Sequence, residues 1–243
     1  ALKAVGVVER HLKDSSHAVR IDIAQFFDSI DYDILADTLR RCGEPDAVVD
    51  ILMRCARIKR FDGVEVQAPE RGIPQGSPLA PVLSNLYLDQ LDRELNNHHL
   101  RFVRYADDLI ILTRDADEAS RAFRIAQDSL HALHLEPSVA KSRVSSVDEG
   151  FLFLGFLFNR NGKAPCREAR DRLSRKMREA YDDEDDEQQA TRRNAILRGW
   201  TNYFGEKDED ESQEPPADAK QPAAPCVVSD AKSIISERLQ PEH

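Results

Sequence analysis

Two adjacent carboxylates divide an apolar stretch of the sequence into two strand-length halves. Asp107 and Asp108 lie between residues 101–105 (RFVRY) and residues 109–112 (LIIL). Apolar segments of this length around a short polar break predict a strand, a tight turn and a second strand. Two carboxylates at such a turn repel each other, and a divalent cation such as Mg²⁺ or Mn²⁺ is expected to relieve that repulsion. The alternative for a bare acidic pair is a solvated turn.

A third carboxylate lies in a similar setting. Asp22 is inside residues 18–23 (AVRIDI), a strand-like run in which a charged side chain is unusual. Two metal ions about 3.5–4 Å apart need carboxylates from separate strands, and Asp22 with Asp107 could supply them. The acids at 28, 31 and 33 follow in a turn-like segment and are predicted to be helix caps or surface residues.

The segment 71–81 (RGIPQGSPLAP) predicts a stiff, shaped loop, because it holds two glycines and three prolines. It opens a helix predicted over 83–95, and a loop at a helix N-terminus can face phosphates or base edges through Gln75 and Ser77. A rigid connector that only caps the helix is the alternative.

The remaining pattern alternates irregularly between helices and strands. Helices are predicted over 1–14, 34–41, 46–58, 83–95, 115–133 and, interrupted by an acidic run, over 167–204; strands are predicted over 18–23, 64–67, 101–113 and 151–158. The last of these is either one buried strand or the arm of a hairpin. This mixture favours an α+β fold with an antiparallel sheet.

Charge is distributed unevenly along the 243 residues, whose net charge is −10. Residues 1–181 are nearly neutral, with 27 Lys and Arg against 28 Asp and Glu. The acidity is concentrated in 182–187 and in 205–243, a Pro/Ala-rich linker or disordered tail. Residues 160–178 instead carry eight basic and two acidic residues, which makes them the candidate contact for a phosphate backbone.

No apolar stretch approaches the roughly 18–20 residues of a spanning helix, so no membrane association is predicted. Four scattered cysteines form no metal-binding pattern. Together with the lack of a visible secretory signal, free thiols predict a cytoplasmic location.

The order of these segments resembles the palm of reverse transcriptases. Residues 22–27, the GIPQGSP loop, Tyr105-Ala106-Asp107-Asp108 and Phe153-Leu154-Gly155-Phe156 follow one another as the family's motifs do. The chain is most similar to the bacterial lineages: group II intron maturases, retron enzymes and CRISPR-associated members. The resemblance runs from about 19 to 204. It implies a polymerase palm with an antiparallel sheet and a YADD hairpin, followed by a helical thumb.

The resemblance also implies roles for particular residues. Asp22, Asp107 and Asp108 would be the catalytic acids and, with Ile23, the ligands of two Mg²⁺ ions, for which Mn²⁺ could substitute. Nucleotide-binding residues would be Phe27, Gln75, Gly76 and Lys141, with Phe27 excluding a ribose 2′-OH. Primer and template would contact Pro74, Ser77, Leu154, Gly155, Arg170, Arg175 and Lys176.

Three regions are predicted along the chain. Residues 1–165 would form the palm, with the fingers largely absent because only about twenty residues precede Asp22. Residues 166–204 would form a helical, thumb-like region, and 205–243 the linker or tail.

The predicted function is that of an RNA-directed DNA polymerase with an RNA template, a DNA or RNA primer and dNTPs. Two alternatives stay open: a non-autonomous or remnant nucleic-acid-binding fragment, and a template-independent polymerase of a phage-defence system. The sequence leaves open whether a CRISPR integrase or an intron RNA is a further partner.

Overall fold

The computed structural model describes residues 1–58, 60, 61, 66, 67, 69–181 and 186–205. Within these residues the helices are α1 (Leu2–Leu12), α2 (Phe26–Ser29), α3 (Tyr32–Arg41), α4 (Asp46–Ala56), α5 (Ala80–Tyr87), α6 (Asp89–Asn97), α7 (Ala116–Ala132), α8 (Arg167–Glu179) and α9 (Asp186–Phe204). The strands are β1 (His17–Asp22), β2 (Arg60–Phe61), β3 (Val66–Gln67), β4 (Arg101–Tyr105), β5 (Asp108–Thr113), β6 (Arg143–Ser146), β7 (Phe151–Phe153), β8 (Phe156–Asn159) and β9 (Gly162–Pro165).

A four-stranded sheet with the order β4-β5-β1-β6 forms the centre of the fold, and all its neighbouring strands are antiparallel. The remaining strands pair as β2-β3 and as β7-β8-β9, again antiparallel. The predicted combination of helices with antiparallel sheet is therefore confirmed. In the central sheet Asp22 lies directly opposite Asp108, so strand pairing alone brings two of the predicted acids together.

Both faces of the central sheet are covered, which explains why residues 109–112 are apolar without alternation. Leu109 and Ile111 pack on one face, in a core built mainly with helices α3 to α7. Ile110 and Leu112 pack on the opposite face, against α1 and the phenylalanines of β7 and β8. All four side chains are almost completely buried.

The helix predicted over 83–95 is two helices, α5 and α6, which meet at Leu88. The backbone of Leu88 (φ −84°, ψ −1°) turns out of regular helical geometry there. Leu88, Leu91 and Leu95 are nevertheless buried in the same core. Apolar periodicity could not reveal the break, because both helices present their apolar side chains to one core.

Residues 151–158 form the two arms of a hairpin, β7 and β8, and not a single strand. Leu154 and Gly155 make the turn with φ angles of 49° and 82°. Strands β2, β6 and β9 and the short helix α2 were not predicted. The prediction of helices on either side of the acidic run is confirmed by α8 and α9. Residues 182–185 and 206–243 lie outside the described part of the chain, as does Val64, predicted to begin a strand.

Among the described helices, none combines the length and apolar character required to cross a membrane. Cys42, Cys55 and Cys166 are free thiols. Cys226 lies outside the described residues.

Candidate active site

The turn between β4 and β5 carries the first two acids on a strained backbone. Ala106 has a φ of 55°, which is unfavourable for a residue with a Cβ atom. The Arg104 guanidinium donates hydrogen bonds to the Ala106 carbonyl oxygen at 3.0 Å and to the Asp92 carboxylate at 2.7 Å. Arg104 is almost entirely buried. The buried Arg104 side chain therefore joins the turn at Ala106 to Asp92 on α6.

The ion pair between Arg104 and Asp92 is desolvated, and the pKa of Asp92 reflects this. Burial raises the pKa of Asp92, while the hydrogen bond and charge of Arg104 act in the opposite direction. A buried ion pair of this kind loses much stability when one partner is removed, because the other charge is left uncompensated.

Asp108 is paired with a cation from the neighbouring strand. The Arg20 Nε atom lies 3.3 Å from an Asp108 carboxylate oxygen, and both side chains are only about one-fifth exposed. Burial raises the pKa of Asp108; Arg20 and the main-chain N–H of Leu154 oppose that rise, whereas the charge of Asp22 adds to it. Arg20 therefore compensates the charge of Asp108 within the protein, so the repulsion in the acidic pair is reduced by this arginine as well as by the metal that the sequence predicts.

Asp22 is held by the segment that links α7 to β6. The Ser138 N–H donates to the Asp22 carbonyl oxygen at 2.7 Å, and the Asp22 N–H donates to the Ser142 hydroxyl at 3.2 Å. Lys141 Nζ lies 3.2 Å from an Asp22 carboxylate oxygen. Contacts to both the main chain and the side chain thus fix this acid at the end of β1.

A cavity of about 380 Å³ opens over these residues. It is lined by Asp22, Ile23, Ala24, Gln25, Phe26, Phe27, Gln75, Asp107, Ser138 and Lys141. The structure therefore brings together six predicted site residues from four separate segments of the chain. Asp108 lies beside this cavity and not in its lining.

The donors in the cavity fit a hard divalent cation. Asp22 and Asp107 offer carboxylate oxygens, and Ile23, whose side chain is buried in the core, also lines the cavity. Mg²⁺ is commonly bound by one or two carboxylates together with substrate phosphates and waters. In the described part of the chain, no three His, Cys, Asp or Glu side chains are grouped closely enough to ligate a metal by themselves. A site completed by substrate oxygens is consistent with this arrangement.

The loop predicted over 71–81 is clamped onto α2 and α3. Gly72 N–H donates to the Ile30 carbonyl at 2.7 Å, Ile73 N–H donates to the Phe27 carbonyl at 2.8 Å, and the Tyr32 hydroxyl donates to the Gly72 carbonyl at 2.7 Å. The clamp brings Gln75 to the cavity.

The other predicted residues of this loop lie outside the cavity lining. Pro74 is half-buried and Gly76 is exposed. The Ser77 hydroxyl accepts a hydrogen bond from Leu79 N–H at 3.3 Å, just before α5.

The remaining predicted contacts lie on two other elements. Leu154 and Gly155 form the β7–β8 turn, and the main-chain N–H of Leu154 opposes the rise in the pKa of Asp108. Arg170, Arg175 and Lys176 are exposed on α8 and do not line the cavity.

The sequence model for reverse transcriptase (RNA-dependent DNA polymerase) matches residues 4–158, more than half of the chain and all of the cavity lining. This chain belongs to the reverse transcriptase family. It is 22% identical over 169 residues to protein YkfC of Escherichia coli (strain K12), covering 55% of this chain and 44% of YkfC. It is 32% identical over 111 residues to the retrovirus-related Pol polyprotein from the Drosophila melanogaster retrotransposable element R2DM, covering 40% of this chain and 10% of the polyprotein.

Its fold is similar to that of a solved reverse transcriptase of another kind. Telomerase from Candida albicans, determined in complex with a fragment of telomeric RNA, superposes with a TM-score of 0.54. The alignment covers 84% of this chain and 41% of the telomerase chain at 10% identity, so the likeness concerns the fold. This reverse transcriptase chain spans less than half the length of each of these relatives.

Sequence reasoning missed the residues that support the acids of this reverse transcriptase domain. Strand periodicity places Arg20 on the same face of β1 as Asp22, two residues on, but its partner Asp108 lies on another strand, 88 residues away. Arg104 also lies in a strand, but its partner Asp92 is on α6, and no local pattern links the two. Ser138 and Ser142 act through contacts with Asp22 across about 120 residues, which a pattern of spacing cannot show.

Proposed function

We propose that this chain is an RNA-directed DNA polymerase that extends a primer 3′-OH with dNTPs on an RNA template. The observation that supports the proposal is the shared cavity of Asp22, Asp107, Phe27, Gln75 and Lys141. Acid, aromatic, amide and ammonium groups that are distant in sequence meet there. Nucleotidyl transfer depends mainly on positioning and electrostatics, which such a cavity can supply.

The oxygen donors of Asp22 and Asp107 and the Ile23 main chain would hold two divalent cations. When bound, these ions would lower the pKa of the primer 3′-hydroxyl and neutralise charge on the pyrophosphate leaving group. Asp108, held beside the cavity by Arg20, would add its charge to the same region.

The other cavity residues would orient the substrates. The Lys141 ammonium, more than half exposed, would leave Asp22 for the nucleotide phosphates. Gln75 would face the template and the incoming nucleotide, and the Phe27 ring would lie beneath the sugar and exclude a ribose 2′-OH. The exposed cations of α8 and the β7–β8 turn would contact the template–primer duplex.

A primer-extension assay with the full chain tests the proposal. With Mg²⁺ or Mn²⁺, oligo(dT) on poly(rA) should be extended with dTTP, and oligo(dG) on poly(rC) should be extended with dGTP only. The Asp107→Ala variant serves as the inactive control.

Each alternative gives a different result in the same assay. Tight binding of the primer–template by the full chain without any extension would indicate a non-catalytic nucleic-acid-binding fragment. Products whose composition ignores the supplied RNA would indicate template-independent synthesis. Membership of the group II intron, retron or CRISPR-associated lineage, with the corresponding partners, stays a prediction.

A further inference from the structure

We infer that Arg104 is a positioning residue, which fixes the place of the Asp107 carboxylate through the main chain of Ala106 and couples it to helix α5. This inference rests on the proposed function, because it assigns Asp107 a part in the polymerase site. The Arg104 Nη1 atom donates hydrogen bonds to the Ala106 carbonyl oxygen and to the Asn85 side-chain oxygen, both at 3.0 Å. One nitrogen atom therefore contacts both the turn between β4 and β5 and the helix α5.

Asp107 depends on its main chain for its position, unlike the other two acids. The Asp22 carboxylate pairs with Lys141, and the Asp108 carboxylate pairs with Arg20. Within the described part of the chain, the Asp107 side chain has neither an ion pair nor a hydrogen bond. Its place in the cavity lining is therefore set by the backbone of the turn.

The Arg104 contact acts on that backbone directly before Asp107. The Ala106 carbonyl belongs to the peptide group that ends at the Asp107 nitrogen, and this group is planar. Ala106 has a φ of 55°, and backbone in this region persists only where the surrounding structure enforces it. Loss of the Arg104 hydrogen bond would let the peptide group rotate, and the Asp107 carboxylate would move with it.

The guanidinium of Arg104 is itself fixed in orientation by Asp92 on α6. Its Nε and Nη2 atoms donate to the two Asp92 carboxylate oxygens, which is the bidentate geometry that arginine forms with a carboxylate. The third nitrogen, Nη1, is thereby directed at Ala106 and Asn85. Only 7% of the Arg104 side chain is exposed. A lysine keeps the charge but has no planar fork, so it cannot hold these partners at once.

Asn85 extends the coupling to the loop over 71–81. It lies on α5, which begins where that loop ends, and the loop brings Gln75 to the cavity. A movement of the loop when a template or nucleotide binds would reach the Arg104 guanidinium through Asn85. Because the same Nη1 atom contacts the turn, the movement would change the position of Asp107. The substrate-facing loop and the metal-binding acid are thus linked by one buried side chain.

Mn²⁺ binding to the full chain tests this role with a readout that a purely structural role would not change. Followed by electron paramagnetic resonance without template or dNTP, Arg104→Lys should weaken Mn²⁺ binding roughly three- to tenfold. Arg101→Lys is the matched control, because it changes another arginine of β4, which lies 3.8 Å from Asp14, and it should leave the Mn²⁺ affinity unchanged. Unchanged affinity in Arg104→Lys, an equal loss in the control, or a wild type that binds no Mn²⁺ overturns the inference.

Asn85→Ala is the second variant, and it carries the test if Arg104→Lys does not fold. It removes only a neutral hydrogen-bond acceptor and should weaken Mn²⁺ binding by a smaller factor, roughly two- to fivefold. Combined with Arg104→Lys it should add nothing further, since the two side chains act through one hydrogen bond. Additive losses, or unchanged affinity in Asn85→Ala, overturn the coupling to α5.

Extension assays distinguish this inference from the proposed function. Both variants should lower kcat with little change in the KM for dNTP, because the displaced group is a metal-binding acid. A KM that rises while kcat is unchanged would overturn the inference. The expected Mn²⁺ results in a chain that extends no primer would overturn the proposed function and retain this inference.

Discussion

Lys141 Nζ lies 3.2 Å from the Asp22 carboxylate, although 119 residues separate the two in sequence. Asp22 is mostly buried, whereas 62% of the Lys141 side chain is exposed. Ion pairs with one solvated partner contribute little stability, typically about 0–1 kcal/mol. The Lys141 ammonium can therefore leave Asp22 and bind another anion, such as a nucleotide phosphate, with little loss of folding stability.

Substitution of Lys141 should separate this role from a structural one. We expect Lys141→Gln to lower kcat/KM for dNTP by about ten- to a hundredfold, since a hydrogen bond to a charged group contributes about 1.5–3 kcal/mol. Lys141→Arg, which keeps the positive charge, should lower kcat/KM for dNTP by a smaller factor. Steady-state extension kinetics measure both. Lys163→Gln is the matched control, because Lys163 pairs with Glu9 away from the cavity. An equal loss in that control would contradict a specific role for Lys141.

The two acids of the hairpin should respond differently to removal. Among the described contacts Asp107 has no ion-pair partner, whereas Asp108 neutralises the mostly buried Arg20. Asp107→Ala should therefore abolish extension with little change in Tm, while Asp108→Ala should also destabilise the fold. Thermal unfolding in EDTA, read beside the extension assay, distinguishes these outcomes. Activity retained in Asp107→Ala would end the assignment of this acid to the metal site.

Phe27 should control sugar selection if its ring lies beneath the incoming nucleotide. The ring borders the cavity and packs against Phe26, with 5.3 Å between their centroids. Phe27→Val should raise ribonucleotide incorporation relative to deoxynucleotide by roughly ten- to a hundredfold, through relief of a clash of ~1–3 kcal/mol. The ratio of kcat/KM for dNTP to that for rNTP is the measurement.

Phe26→Val is the control for Phe27. Phe26 is almost entirely buried in the core, so its truncation should lower stability and leave the selectivity ratio unchanged. An unchanged ratio in Phe27→Val would mean that Phe27 is only a core residue.

Much of the site could be predicted because its residues lie in short, ordered motifs. Asp22, Phe27, Gln75, Asp107 and Lys141 were all predicted, and the structure places all five around one cavity. Their individual chemical roles stay predictions. Each residue lies in or next to a segment whose local pattern is informative: a strand with a charge inside it, a proline-rich loop or an acidic turn.

The supporting contacts could not be predicted, because they depend on which elements become neighbours. The pairing of Arg20 with Asp108 requires the register of β1 against β5. The hydrogen bond from Tyr203 to Leu154 requires α9 to pack on the β7–β8 turn. The sequence separations of 88 and 49 residues leave no local periodicity to detect.

Tyr87 should stabilise the fold through its buried hydroxyl. That hydroxyl donates to the Leu133 carbonyl at 2.6 Å and accepts from the Asp31 N–H at 3.1 Å. Tyr87→Phe should lower the free energy of unfolding by about 1–3 kcal/mol, since two buried groups lose their partner. Urea unfolding at pH 7 measures this. Tyr181→Phe, at an exposed position, should change it by less than about 0.5 kcal/mol.

The same hydroxyl predicts a loss of stability in alkali. Burial raises the pKa of Tyr87 from the ordinary tyrosine value of 10.0 to about 12. Between these pH values the unfolded chain releases the proton while the folded chain retains it, so stability contributed by Tyr87 is complete below pH 10 and is lost as pH rises toward 12. Tyr87→Phe should flatten this part of the stability profile; a profile identical to that of the wild type would contradict the assignment.

Gly72 and Gly76 allow a matched test of how tightly the loop is clamped beside the site. Both have a left-handed backbone, with φ angles of 87° and 86°. A Cβ atom on Gly72 would lie 2.8 Å from the Cα and carbonyl oxygen of Asp28, whereas one on Gly76 would meet nothing within 4 Å. Both alanine variants therefore place a Cβ atom in the left-handed region of the backbone, at the same conformational cost in free energy. Only Gly72→Ala adds a steric clash.

We expect Gly76→Ala to lower the free energy of unfolding by about 1–2 kcal/mol, the cost of placing a Cβ atom in the left-handed region. Gly72→Ala should lower the free energy of unfolding by about 1–3 kcal/mol more than Gly76→Ala does, because backbone atoms of Asp28 would have to move. Urea unfolding of both variants gives the difference directly. Gly72→Ala should also reduce extension, since the same loop carries Gln75 to the cavity. Equal destabilisation of the two variants would show that the contact between Gly72 and Asp28 does not hold the loop in place.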